Sequence, residues 1–197
     1  MNYLDGQGAI VSAVLRPSSG EMMGSASPVA SFAARHPTLM TFERFLWVLP
    51  LAYAVHIPEE FLTGFPAWMG RHMQADMDNQ GFWLNNGLFM TILLSLSLWA
   101  SRSRSSLSAF LFLSWASGNL FWNFVFHLVT TVYADSYSPG LVSATLLYYP
   151  VVIWAGVLAL RSGRLGARGV AGAFTVGAGL MLFVIWSGLW KFRLPFA

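Results

Sequence analysis

Residues 107–132 read LSAFLFLSWASGNLFWNFVFHLVTTV, without a single Asp, Glu, Lys or Arg. At ~1.5 Å per residue, a helix of that length exceeds the ~30 Å hydrocarbon thickness of a bilayer. Residues 82–100, 141–160 and 170–190 are also free of those four residue types, and 41–62 is apolar apart from a few ionisable groups. Each stretch is expected to be helical, because an isolated strand or loop in lipid leaves its backbone polar groups unsatisfied at several kcal/mol apiece. The expected fold is therefore all-α: a polytopic transmembrane helical bundle of about five spanning helices over residues 41–192. A short tail, 193–197, follows it.

Composition points the same way. Of 197 residues, 56% are hydrophobic, 16% aromatic and 10% charged, where soluble domains carry about a quarter charged residues. The absence of cysteine excludes disulfides and thiolate metal sites. The net charge of +3 comes from scattered arginines rather than a basic run, so no nucleic-acid partner is expected. Residues 1–40, rich in Gly, Ser and Pro, lack the basic leader and long apolar core of a signal peptide and read as a disordered cytoplasmic tail, with Met40 an alternative start.

The arginines set the expected orientation. Arg35 and Arg44 flank the first span, Arg102 and Arg104 fill the second connection, and Arg161, Arg164 and Arg168 the fourth. The first and third connections together hold only Arg71. Lys191 and Arg193 run against this pattern, but the balance places the N-terminus in the cytoplasm of what we expect to be a bacterial plasma membrane. In the last span Gly169, Ala173 and Gly177 form a small-residue stripe suited to close helix packing.

The first span carries His56-Ile57-Pro58-Glu59-Glu60. A charge near the bilayer centre costs about 2.5–3.5 kcal/mol, so these side chains should face the protein and find partners there. At 100° per residue Glu59 and Glu60 lie on opposite sides of His56, so one carboxylate should meet a bound species while the other orients a neighbour or moves a proton. Pro50 and Pro58 withhold the amide hydrogens owed to Leu46 and Ala54, which predicts kinks. Asn119, Asn123 and His127 recur at intervals of four in the third span, and Asn85 and Asn86 open the second. Counted from the span ends, His56, Asn85, Asn86 and His127 all lie roughly 5–9 Å below the same surface, where they can share one pocket. Pro139-Gly140 suits the centre of a type II turn, and that turn can aim the Tyr137 phenol at the pocket. The first connection, 63–81, reads as an interfacial helix over it, with His72 and Asp76 spaced equally well for a metal or for an exposed helical pair.

The order His56-x-x-Glu59-Glu60, a later His127, then Tyr137-x-Pro139-Gly140, resembles the HXXEE-domain family of integral membrane proteins over roughly residues 45–157. That resemblance implies a membrane domain without a defined activity, for which a metal-dependent or hydrolytic enzyme is a common supposition.

The residues themselves favour a membrane-embedded enzyme acting on a lipophilic substrate in the outer half of the bilayer. His56, His127 and one of Glu59 or Glu60, with Glu60 taken as the ligand, make two imidazoles and a carboxylate, a set suited to Zn²⁺ or Fe²⁺ with one position open for water. Glu59 or Glu60 would act as general base and Tyr137 as donor or proton carrier, with Asn85, Asn86 and Asn123 in support. A metal-free alternative is an acid–base isomerase or cyclase of a sterol-like or isoprenoid substrate, its cation stabilised by Trp115, Phe121, Trp122 and Phe126. A third alternative, a transporter or a non-catalytic lipid-binding protein, is weakened as transport by the lack of ionisable groups through the inner half.

Overall fold

The computed structural model describes residues 40–75 and 77–189. The expectations for the N-terminal tail, Arg35, Asp76, Lys191, Arg193 and the C-terminal tail lie outside those residues. Five helices are long and apolar enough to span a membrane: α1 (Phe42–Leu62), α3 (Asn79–Ser103), α4 (Ser106–Ala134), α5 (Leu141–Arg161) and α6, whose spanning part is Ala167–Ser187. A shorter helix, α2 (Phe65–Met73), fills the first connection. There is no strand among the described residues. The chain is an integral membrane protein built as an all-helical bundle.

Most helix ends overrun the apolar stretches by a few residues, and local capping explains two of the starts. The Asp78 side chain accepts from the Gly81 amide at 2.6 Å and begins α3 three residues before the apolar run, while Ser105 accepts from the Ser108 amide at 3.1 Å and begins α4. Pro50 has its expected effect, since α1 breaks into a turn at Leu46–Trp47 and the Leu46 carbonyl accepts instead from the Leu49 amide at 3.4 Å. Pro58, by contrast, sits inside a helix that runs on to Leu62. Gly64, left-handed at φ +81°, ends that helix, and Pro66 lies in the first turn of α2.

Two irregularities were not legible in the hydropathy. Residues Ser117–Trp122 of α4 and Ala144–Tyr148 of α5 are wound as π-helix. In α5 the cause is visible in retrospect. Pro150 cannot donate to Leu146, and a wider turn just before it relieves the clash between ring and carbonyl. In α4 the wide turn keeps a stripe aligned. Residues four apart in an α-helix drift by ~40° per step, and the i→i+5 turn takes some of that drift back between Asn119 and Asn123.

At one end of the bundle Arg164 donates to the Arg104 carbonyl and to the Glu43 carboxylate, tying the arginine-bearing second and fourth connections to the start of α1. The first and third connections lie at the opposite end. The middle of the bundle is α4, against which α3, α5 and α6 all pack. The α4–α6 seam uses the small-residue stripe of the last span. Ala173 is fully buried, its carbonyl accepts from Ser117 Oγ at 3.1 Å, and Gly177 lies directly on Gly118. Gly169 faces its own neighbour Leu165 and takes no part.

A Cβ on Gly177 would stand 2.0 Å from Ser117 Oγ and 2.7 Å from the Gly118 nitrogen, whereas one on Gly179 meets nothing within 4 Å. Gly177→Ala should therefore destabilise the bundle by ~1–3 kcal/mol, while Gly179→Ala leaves it unchanged. Thermal unfolding of both variants in detergent checks this, and equal melting temperatures would contradict the packing described.

Candidate functional site

Glu60 is one helical turn beyond His56, so on α1 the two share a face. Glu60 Oε1 lies 3.2 Å from His56 Nε2 and 3.2 Å from His127 Nε2, the latter reaching in from α4. Both histidines are fully buried and Glu60 is 5% exposed. The three ligand atoms lie within 4.8 Å of one another. Each imidazole is oriented through its other nitrogen: His56 Nδ1 is 2.8 Å from Ser143 Oγ, and His127 Nδ1 is 3.0 Å from Ser138 Oγ. The Ser138 hydroxyl is itself approached by Thr130 Oγ1 at 3.3 Å. When the serines accept from the Nδ1–H groups, both Nε2 lone pairs point at a carboxylate. The amide of Asn123 donates to His56 Nε2 over a long 3.3 Å, while His127 Nε2 has no partner in hydrogen-bonding geometry. In that tautomer the arrangement gathers three acceptors in a buried site.

The turn at Tyr137-Ser138-Pro139-Gly140 closes over this cluster. The Leu141 amide donates to the Ser138 carbonyl at 3.1 Å and Gly140 has φ +102°, the type II geometry that Pro-Gly predicts. Pro139 stays in the turn, and α5 begins at Leu141. A Cβ on Gly140 would fall 2.8 Å from both Glu60 Cγ and His56 Cε1 and 2.9 Å from His127 Cε1. Glycine is thus required twice, by its dihedral angle and by the cluster pressed against it.

Glu59 faces away from the cluster and holds this turn. Its carboxylate accepts from the Tyr137 hydroxyl at 2.6 Å, the Val142 amide at 3.2 Å and the Ser143 amide at 2.8 Å. An anion is favoured at such a helix start, because the first amides lack partners and carry the positive end of the helix dipole. Of the two carboxylates, then, Glu60 meets the histidines and Glu59 orients the segment carrying their serine partners. Tyr137, expected to aim at the pocket, stops at Glu59. Burial, and then the bond to that carboxylate, raise its hydroxyl above the usual tyrosine pKa.

A cavity of about 570 Å³ adjoins the cluster, reaching Glu60 and Asn123. Asn85 and Asn86 line it without touching the histidines, and Asn86 Oδ1 accepts from the Tyr53 hydroxyl at 2.7 Å. Trp115 and Phe126 line it too, whereas Phe121 and Trp122 pack on Phe174 of α6. Of α2, the Phe65 ring lies 5.6 Å from that of His127, tilted by 60°, and Met69 reaches the cavity, so the first connection does cover the site. His72 lies against Trp68 instead. Sequence reading missed Ser138, which looks like an ordinary turn residue, Ser143, which looks like an ordinary hydroxyl at the start of a span, and Tyr148, whose ring lies 4.2 Å from that of His56 with its buried hydroxyl unpartnered among the described residues.

The fold and site define a small polytopic membrane protein with a buried His–Glu–His cluster sealed by a Pro-Gly turn. The family described as "Protein of unknown function with HXXEE motif" matches residues 47–155, more than half of the chain, and the protein belongs to that family. No curated protein and no solved structure matches it.

Two outcomes are expected. Gly140→Ala should disrupt the cluster and lower thermal stability more than Gly166→Ala, where an added Cβ meets nothing. Because the folded state raises the Tyr137 pKa, the Tyr137–Glu59 tether is intact below the ordinary tyrosine range and is lost as pH climbs through the raised value. Stability measured upward from pH 10 should fall more steeply in the native chain than in Tyr137→Phe; parallel curves would contradict the tether.

Proposed function

We propose that this protein is a membrane-embedded, metal-dependent hydrolase acting on a lipophilic substrate, with His56, His127 and Glu60 holding a Zn²⁺ or Fe²⁺ ion. The observation that carries this reading is the pair of imidazoles turned by Ser143 and Ser138 so that both Nε2 atoms face one carboxylate oxygen, with His127 Nε2 left unpartnered at full burial. Lone pairs crowded against a carboxylate repel unless a cation or proton lies among them. Two histidines, one carboxylate and outer hydrogen bonds to each ring are a donor set that such ions favour.

A bound ion would supply Lewis acidity toward an ester or amide carbonyl and toward water. The protein's own contribution is separable. Ser138 and Ser143 fix the ring orientations, the Gly140 turn excludes bulk water from above, and Glu60, which lines the cavity, is the member of the cluster a substrate meets. Glu59 serves by keeping the turn in place. By the arginine distribution, the arginine-bearing end is cytoplasmic and the cluster lies toward the extracytoplasmic side of the membrane, in keeping with a bacterial plasma membrane. The metal-free acid–base reading rests on the same cluster with a proton in place of the ion.

Protein purified without a metal-affinity tag should contain about one equivalent of Zn or Fe by elemental analysis. His56→Ala and Glu60→Gln should lose it while still folding by circular dichroism, and Ser138→Ala and Ser143→Ala should weaken affinity ~10–100-fold. Turnover of a lipid ester should fall in step with metal content. A metal-free native protein that still converts a lipid would replace the hydrolase with the acid–base enzyme.

A further inference from the structure

The cavity beside Glu60 is bounded on one flank by α3 and on another by α6. These helices both pack on α4 yet make at most marginal contact with each other. The wall from α6, Leu180 to Ser187, belongs to the half of that helix beyond the Gly177–Gly118 contact, on the side of the bundle where the cluster lies. The space therefore runs from the bilayer midplane toward the cluster's end and is flanked by a gap between two spanning helices. Its volume of about 570 Å³ falls within the ~300–1,000 Å³ of sites that bind drug-sized molecules.

The polar groups on its walls are unusual for a membrane interior. Asn85, Asn86, Asn119 and Asn123 all line it, with the Tyr53 hydroxyl near Asn86. Asn119 donates to the Trp115 carbonyl at 2.9 Å, and the exposed carboxamide of Asn85 has no partner among the described residues. Asn86 donates to the Phe82 carbonyl at 3.0 Å and Asn123 to His56, and since a carboxamide has two N–H groups and two lone pairs, each of the four retains hydrogen-bonding capacity that a ligand in the cavity can use. Among the described lining residues Glu60 is ionisable and acidic, and no Lys or Arg is present. Recognition of a phosphate head relies on guanidinium or ammonium groups, which the described lining does not offer, whereas carboxamides both donate and accept and so match hydroxyl, amide and ester oxygens.

We infer that the gap between α3 and α6 is a lateral portal from the leaflet, admitting a neutral amphiphile whose uncharged hydroxyl-, amide- or ester-bearing head binds the asparagines beside Glu60 while its chain lies along Phe89, Leu180 and Val184. The inference rests on the hydrolase reading only for what happens to that head at Glu60. Entry and selection belong to the cavity itself.

The test measures binding of radiolabelled monooleoylglycerol and of oleoyl lysophosphatidate to the full chain in phosphatidylcholine nanodiscs, before and after chelator treatment, with metal content determined on the same samples. Monooleoylglycerol should bind saturably at least tenfold more tightly than lysophosphatidate in chelated protein. Val184→Trp should slow its association at least tenfold, and Val184→Ala should keep or speed it. Asn85→Lys should narrow the preference for the neutral lipid. Equal or tighter binding of the anion, or association unchanged in both Val184 variants, overturns the portal. Preference retained in protein that never held a metal removes the hydrolase reading alone, and a stoichiometric metal without lipid preference removes the portal alone.

Discussion

The structure depends on a local electrostatic problem: one carboxylate oxygen and two imidazole nitrogens held within 4.8 Å of one another, all three residues buried. In a low-dielectric interior such a gathering is stable only when a proton or a cation lies between the oxygen and the nitrogens. Much of the surrounding architecture keeps the three atoms pointed inward. The serines steer the rings, the Pro-Gly turn lies on the cluster, and Glu59 secures the start of the helix that follows that turn. The HxxEE spacing thus divides its labour between two adjacent residues that diverge around the helix. One carboxylate is spent on the cluster and the other on the lid.

The lid itself is economical. A type II turn needs a residue at positive φ, and the same glycine leaves room for Glu60, His56 and His127 beneath it. The following helix begins at once, so its first amides are where Glu59 can reach them. The apolar residues of α2 then complete the cover. Sequence motifs that look separate, one on α1 and one in a connection, are two sides of a single contact.

Much of this was legible beforehand. Four charge-free stretches and one largely apolar stretch near bilayer length pointed to five spans, and counting residues from their ends brought His56 and His127 to a common depth. The 3.6-residue period separated Glu59 from Glu60, and Pro139-Gly140 predicted its turn. What stayed hidden depends on contacts between distant elements. Ser138 and Ser143 gain meaning only when α4 and α5 set histidines beside them. Asn85 and Asn86 shared the right depth yet lie on the cavity wall, since depth constrains one coordinate and the azimuth of α3 constrains another. Tyr137 was drawn to the nearer carboxylate. The π turns escaped because hydropathy is blind to hydrogen-bond register, although Pro150 marked one of them.

Those two wide turns have an evolutionary corollary. Each inserts slack between the half of a helix that serves the site and the half that packs the arginine-bearing end, so the two halves follow separate registers. Substitutions in the α4–α6 seam can accumulate below Ser117 without rotating His127 above it. The geometry of the cluster at the top of the bundle and the fit of its base are, to that extent, free to diverge independently among descendants of one ancestral chain.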